Sequence, residues 1–291
     1  MTTQARPTSL PSTVGIIGLG KGGGAVRQSL EAAGVDVAVS SSRADVREQL
    51  ATAFATPVEL VDHLAGSEDA VLLLAVPDGV IEAVATSLAA LPQPPKRVVH
   101  MSGAKSVEAL QALRDVGGDV GVLHPMAALQ AQTPIPPQTL IAVEATSPSL
   151  TSTLQALAEA FDGVVAVRKA GEHVAYHAAA VVAGNLAFAL LQQGITLMAQ
   201  AGIDEDTARR GVAALLASTA ERALQAPLPE AMTGPVARGD VDTVARHLEV
   251  LQAHPDIDAV YRALSQTLVQ QSPADEAAKQ ALMHLLTSTK P

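Results

Sequence analysis

Thr13-Val14-Gly15-Ile16-Ile17-Gly18-Leu19-Gly20-Lys21-Gly22-Gly23-Gly24 runs an apolar strand straight into a glycine-spaced turn. At that spacing Gly18 permits the tight turn, Gly20 lets bare backbone N–H groups approach a pyrophosphate, and Gly23 allows close helix packing. Leu19, Lys21 and Gly22 complete the loop, and the helix that follows turns its positive N-terminus toward the phosphates. Three spaced glycines are a weak signal alone, so their context decides. A helix over 25–33, Gly34 as its cap, and the second apolar strand Val35-Asp36-Val37-Ala38-Val39 supply it. The stretch predicts a βαβ unit that binds a dinucleotide.

Outward from this unit, strand and helix alternate. The pattern predicts helices over 44–54 and 80–91, and strands near 57–60, 97–100, 120–123, 140–143 and 164–167. Ala70-Val71-Leu72-Leu73-Leu74-Ala75-Val76 is continuously apolar between Asp69 and Pro77, as a central parallel strand covered on both faces must be. Beyond Lys169 the pattern is helical only, with segments at 173–193, 205–225, 241–253, 257–270 and 274–286. Asp204, Asp240, Asp256 and Ser272, the last followed by Pro273 and Asp275, read as their caps. The expected fold is α/β, a doubly wound Rossmann sheet over residues 1–168 followed by an all-α domain over residues 169–291, whose alanine-rich helices fit a tight bundle or a dimer interface equally well.

Composition narrows the function classes. The chain has 291 residues, 48% of them hydrophobic and 16% charged, as expected of a folded globular protein. A net charge of −10 leaves no broad basic face for nucleic acid, and Arg209-Arg210 is the densest basic pair. Zero cysteines exclude disulfides, thiolate metal sites and cysteine nucleophiles, which suits a reducing cytoplasm. Residues 1–12 are polar and proline-bearing, unlike a signal peptide. The apolar stretch 178–191 contains Gly184 and Asn185, and is expected to be too short and broken to span a membrane.

At the end of the second strand, NAD-binding folds place an acidic residue against the ribose 2′-hydroxyl. Here Ser41-Ser42-Arg43 stands in that region, and hydroxyls with a guanidinium suit a 2′-phosphate, so NADP (NADPH) is expected. Val76 and Pro77 follow the central strand at the ligand-binding edge, with Asp78 as a helix cap or a polar contact. Ser102 and the backbone of Gly103 close the next strand and can hydrogen-bond a substrate, while His100 is either structural or catalytic. His124 ends the following strand. Its imidazole, with an ordinary pKa near neutrality, is a candidate proton donor or else a packed anchor. Asn185 interrupts an apolar helix and needs a partner, so it is a catalytic-site candidate that orients substrate near the nicotinamide or else bonds another helix. His173 and His177 share a helix face without a third ligand, so no metal site is expected. Thr233 and Arg238 lie on a glycine-rich break between helices, where Arg238 can clamp a carboxylate and Asp240 can cap the next helix.

Taken together, the GLGKGG turn, AVPD (75–78), HMSGA (100–104), LHPM (123–126), the Gly184-Asn185 helix and TGPVARGD (233–240) resemble one family. It comprises Rossmann-like oxidoreductases with a helical C-terminal domain of unknown function. That family is similar to the 6-phosphogluconate-dehydrogenase-like superfamily, which includes ketopantoate reductase, pyrroline-5-carboxylate reductase and prephenate dehydrogenase. The resemblance implies an NADP-linked reductase acting on a small anionic substrate in a cleft between the domains, in a homodimer. It does not supply the substrate; a ketopantoate-like 2-oxo acid is one choice, and an NADP-binding sensor without turnover is the alternative. Lysine-dependent relatives carry a catalytic lysine on the first interdomain helix, yet no lysine occurs between Lys169 and Lys279. His124, His177 or water must then replace it. Prephenate dehydrogenases carry a histidine where Asn185 aligns, which argues against their chemistry here.

Overall fold

The computed structural model describes residues 10–41, 48, 50, 52–169 and 171–288. The chain divides into two compact units, Met1–Asn185 and Leu186–Pro291.

Among the described residues of the first unit, eight strands form one sheet. They are β1 (Thr13–Ile17), β2 (Asp36–Ser40), β3 (Ala53–Phe54), β4 (Val71–Leu74), β5 (Arg97–His100), β6 (Asp119–Pro125), β7 (Leu140–Ala145) and β8 (Val164–Val167). Their order is β3-β2-β1-β4-β5-β6-β7-β8. Strands β1 to β6 are all parallel, so the chain reverses winding between β1 and β4, where open α/β sheets bind ligands. Strand β7 runs antiparallel to β6, and β8 runs parallel to β7.

Helices cover both faces. On one side α1 (Lys21–Ala32) and a helix at Pro148–Ala160 pack with Ile16, Leu73, Val99 and Leu123; on the other, helices at Pro57–Leu64 and Ile81–Ala89 pack with Ile17, Leu72, Leu74, Val98 and Val122. Neighbours such as Leu72 and Leu73 thus enter opposite cores, which is why these strands read as unbroken apolar runs. We number the helices α1, α2 (Pro57–Leu64), α3 (Ile81–Ala89), α4 (Gln111–Asp115), α5 (Pro148–Ala160) and α6 (His173–Ala180).

Several sequence expectations are corrected. Residues 57–60 begin helix α2 rather than a strand. Thr56 accepts from the Glu59 N–H, and the Glu59 carboxylate returns a bond to the Thr56 N–H, a full capping box with Pro57 in the first turn. The helix expected over 44–54 falls mainly outside the described residues, and its end, Ala53–Phe54, is strand β3. Helices α4 and α5 were not anticipated.

The second unit contains α7 (Leu186–Gln200), α8 (Glu205–Gln225), α9 (Leu228–Ala231), α10 (Pro235–Arg238), α11 (Val241–Leu251), α12 (Pro255–Gln271) and α13 (Glu276–Thr287). Its core joins Val236, Val244, Leu248, Val269, Leu282 and Leu286. Asp204 and Asp240 cap α8 and α11 as expected, accepting from the N–H groups of Thr207 and Thr243. The expected caps Asp256 and Ser272 are displaced by one turn or less: His254 and Asp275 occupy those positions.

Gly184 and Asn185 do not break their helix. A π-helical segment, Val181–Asn185, carries the backbone through them, so the helical run His173–Gln200 is continuous over 28 residues. Among the described residues it is the one helix long and apolar enough to cross a membrane by length and composition alone.

Candidate functional site

The glycine turn follows β1 directly. Gly18 has φ +97°, and a Cβ there would lie 2.5 Å from the Ala75 carbonyl oxygen, so the turn requires glycine on both counts. A Cβ on Gly23 would run into the Gly18 carbonyl, deep inside van der Waals contact. Gly20 differs: a Cβ there meets nothing within 4 Å, and the residue is exposed at the N-cap of α1. Packing does not demand a glycine at this point, whereas a ligand approaching the backbone does.

Around the turn, Ile17, Gly18, Leu19, Gly20, Ser40, Ser41, Ala55, Pro57 and Val76 enclose a cleft of about 480 Å³, within the range of small-molecule sites. Its helix N-terminus, its bare glycine backbone and the hydroxyls at the end of β2 suit the phosphates and ribose of a dinucleotide. Ser41 lies on this cleft; Ser42 and Arg43 lie outside the described residues. Lys21 is exposed at the start of α1, Gly22 lies near Met101, and Pro77 is exposed where a 3-10 turn begins.

A polar cluster occupies the same unit at the ends of β5 and β6. Its centre is Arg168, just beyond β8, with its side chain only 3% exposed. The guanidinium donates from Nε to Glu144 Oε2 at 3.0 Å, from Nη1 to the Gly103 carbonyl at 3.2 Å and from Nη2 to the Lys105 carbonyl at 2.9 Å. It also lies 5.6 Å from the centroid of the Tyr176 ring. The Tyr176 hydroxyl is 2.8 Å from His124 Nδ1, and the two rings meet edge to face at 5.4 Å. His124 in turn lies flat against Gly103, where a Cβ would come within 2.7 Å of the imidazole. Gly103 is thus the floor under His124 and, through its carbonyl, a partner of Arg168.

Burial, reinforced by the nearby His177 and Arg168, pushes the His124 pKa down to about 4. The expectation of an imidazole titrating near neutrality is therefore corrected, and His124 is neutral at pH 7. Burial raises the Tyr176 pKa to about 12, so the phenol keeps its proton.

The other expected residues fall as follows. His100 is fully buried; its Nδ1 accepts from the Ser102 N–H at 3.1 Å and its Nε2 reaches the Ser106 carbonyl at 2.9 Å, so it braces the turn after β5. Ser102 is buried, with its hydroxyl accepting from the N–H groups of Ala104 and Lys105. His177 is one residue from Tyr176 on α6, and its Nδ1 is buried without a partner, as is that of His173. Asn185 is exposed at the end of the π segment. In the second unit, Thr233 and Arg238 are exposed around the short helix α10. Arg168, Glu144 and Tyr176 were not among the expected site residues. Their signal was faint: a charge closing or interrupting an apolar strand, and a tyrosine beside His177.

Residues 2–125 match the Rossmann-like domain and residues 139–268 match the domain of unknown function DUF2520. Together the two matches account for most of the chain. No curated protein matches it. Among solved structures, a protein from Thermotoga maritima is similar with TM-score 0.66 and 23% identity, over 89% of this chain and 98% of that one. The pyrroline carboxylate reductase of Plasmodium falciparum, solved with NADP bound, has TM-score 0.59 and 13% identity over 94% and 99%. Prephenate dehydrogenase of Aquifex aeolicus, in complex with hydroxyphenyl propionate and NAD+, has TM-score 0.54 and 13% identity over 91% and 99%. At these identities the likeness is one of fold.

Two predictions follow from this geometry. Gly20→Ala is expected to fold with unchanged thermal stability while losing at least about tenfold in nicotinamide-dinucleotide affinity by calorimetry, whereas Gly23→Ala loses stability itself. Equal behaviour of the two variants would contradict the assignment of Gly20 to a ligand. Glu144→Ala strands the buried Arg168 charge and is expected to cost about 3 kcal/mol or more in denaturant unfolding; a loss below about 1 kcal/mol would show that the pair is solvated.

Proposed function

We propose that this chain is an NADP(H)-dependent oxidoreductase that reduces a small carbonyl or imine acid, with a ketopantoate-like 2-oxo acid as first candidate. The observation that carries the reading is the shared edge of one parallel sheet: the glycine turn after β1, the cleft at the ends of β1, β2 and β4, and His124 at the end of β6. A nicotinamide cofactor bound there supplies a hydride. Gly18, Leu19, Gly20, Ser41 and Val76 are the residues that would hold it. The pyrroline carboxylate reductase fold, known with NADP bound, supports the same choice of cofactor class.

On the protein's side, His124 is the polar group offered to a reacting carbonyl or imine, with Gly103 against its ring and Ser102 in the turn that carries Gly103. Arg238, exposed on α10, is the proposed clamp for the substrate's carboxylate. A homodimer is proposed from α7 and α8, which bury almost nothing: Phe188 is 72% exposed and Leu224 86%, an apolar surface that a second copy would cover. The absence of cysteine accords with a cytoplasmic location.

NADPH oxidation against a panel of 2-oxo acids and cyclic imines, with calorimetric titration of NADPH and NADH, tests the proposal. The expected result is turnover of at least one acid, with NADPH bound at least about tenfold tighter than NADH through the 2′-phosphate. Binding without turnover across the panel would favour a sensor that reads cofactor occupancy. No binding of either dinucleotide would overturn the proposal.

A further inference from the structure

Two histidines sit at neighbouring strand ends, and their hydrogen bonds dictate their tautomers. In His100, Nδ1 accepts a backbone N–H from Ser102, so the ring proton must be on Nε2, which donates to the Ser106 carbonyl. His124 shows the same arrangement with a side chain as donor. Its Nδ1 is 2.8 Å from the Tyr176 hydroxyl, and the other acceptor near that hydroxyl, the His124 carbonyl, is at 3.4 Å. At 3.4 Å the carbonyl is beyond the usual O–H···O range, so we assign the phenol proton to the 2.8 Å contact with Nδ1. The guanidinium of Arg168, 5.6 Å from the ring centroid, draws electron density from the phenol and strengthens it as a donor. Nε2 of His124 makes no hydrogen bond among the described residues and lies beside Gly103.

We infer that Tyr176 is a positioning residue that holds His124 in its neutral Nε2–H tautomer, so that His124 offers a proton donor, not a lone pair, to the substrate. The inference rests on the reductase reading and specifies its chemistry. As hydride reaches a carbonyl carbon, the substrate oxygen takes the Nε2 proton and Nδ1 takes the phenol proton. One N–H and one O–H break, one O–H and one N–H form, and the negative charge ends on the tyrosine oxygen, whose ring lies beside the Arg168 cation. Water then reprotonates the phenol and leaves as hydroxide, so that one solvent proton is consumed per turnover. Burial keeps the ring neutral, the charges of His177, Arg168 and His100 act in the same direction, and Asp78 opposes them.

The test is a long-range ¹⁵N–¹H correlation spectrum of the imidazoles in the labelled protein without ligand, between pH 6 and 8. His124 is assigned by its loss in His124→Gln and by its displacement in Tyr176→Phe. The expected result is an Nε2–H tautomer for His124 across the range, converting to a mixture in Tyr176→Phe. An Nδ1–H tautomer or an imidazolium at pH 7 in the native protein would overturn the inference, whether or not the variants fold. Once a substrate is found, kcat is expected to stay flat from pH 6 to 8 and to fall at least about tenfold in Tyr176→Phe, with NADPH affinity within about threefold. A kcat that declines above pH 6.5 would show an imidazolium donor instead. An Nδ1–H tautomer in an enzyme that still turns over removes only this inference. The expected tautomer in a protein that binds no dinucleotide removes the reductase reading and the role built on it.

Discussion

The buried guanidinium of Arg168 is the constraint on which the candidate site depends. A charge this far from water must be paired and hydrogen-bonded, and Arg168 meets that demand by binding one carboxylate and two backbone carbonyls. Those partners come from β7 and from the turn after β5, while the Tyr176 ring on α6 packs near the same cation. Satisfying a single charge thereby fixes three separate segments of chain. Gly103, held through its carbonyl, becomes the floor for His124, and Tyr176 reaches the imidazole from the side. The site is preorganised because its supports cannot relax without stranding a charge.

The parallel sheet supplies the second constraint. Strands running in one direction bring all their C-terminal ends to one edge, so a glycine turn at residue 18, a serine at residue 41 and a histidine at residue 124 share an edge despite their separation in sequence. Gly20 is informative because its local packing tolerates a side chain. A Cβ at Gly20 would project where no atom of the fold stands, beside the cleft that Gly20 lines.

Much of this was legible in the sequence because the relevant signals are local. The strand into Gly18, the apolar runs at Leu72–Leu74 and Val98–Val99, and the aspartate caps at 204 and 240 are each set by a handful of adjacent residues. The Thr56-Pro57-Glu59 capping box was equally local, but Val58 and Leu60 around it imitate a strand's alternation. Arg168 and Glu144 were hidden for a different reason. They lie 24 residues apart and become partners only when β7 and β8 pair, so each looked like an ordinary charge at a strand's margin. The tautomer of His124 was also beyond local reading, since Tyr176 is 52 residues away. Gly184 and Asn185 looked like a break because a π segment leaves no composition signature of its own.

The central claim is that the glycine turn and the His124 cluster serve one ligand. The most direct measurement is a titration of the histidine-labelled protein with NADP+ and, separately, with its adenine half, 2′,5′-ADP, following the His124 imidazole resonances. The account predicts that both ligands compete for the glycine turn but that only the complete dinucleotide, which carries the nicotinamide ring, moves His124. A His124 signal untouched by saturating NADP+ would contradict it.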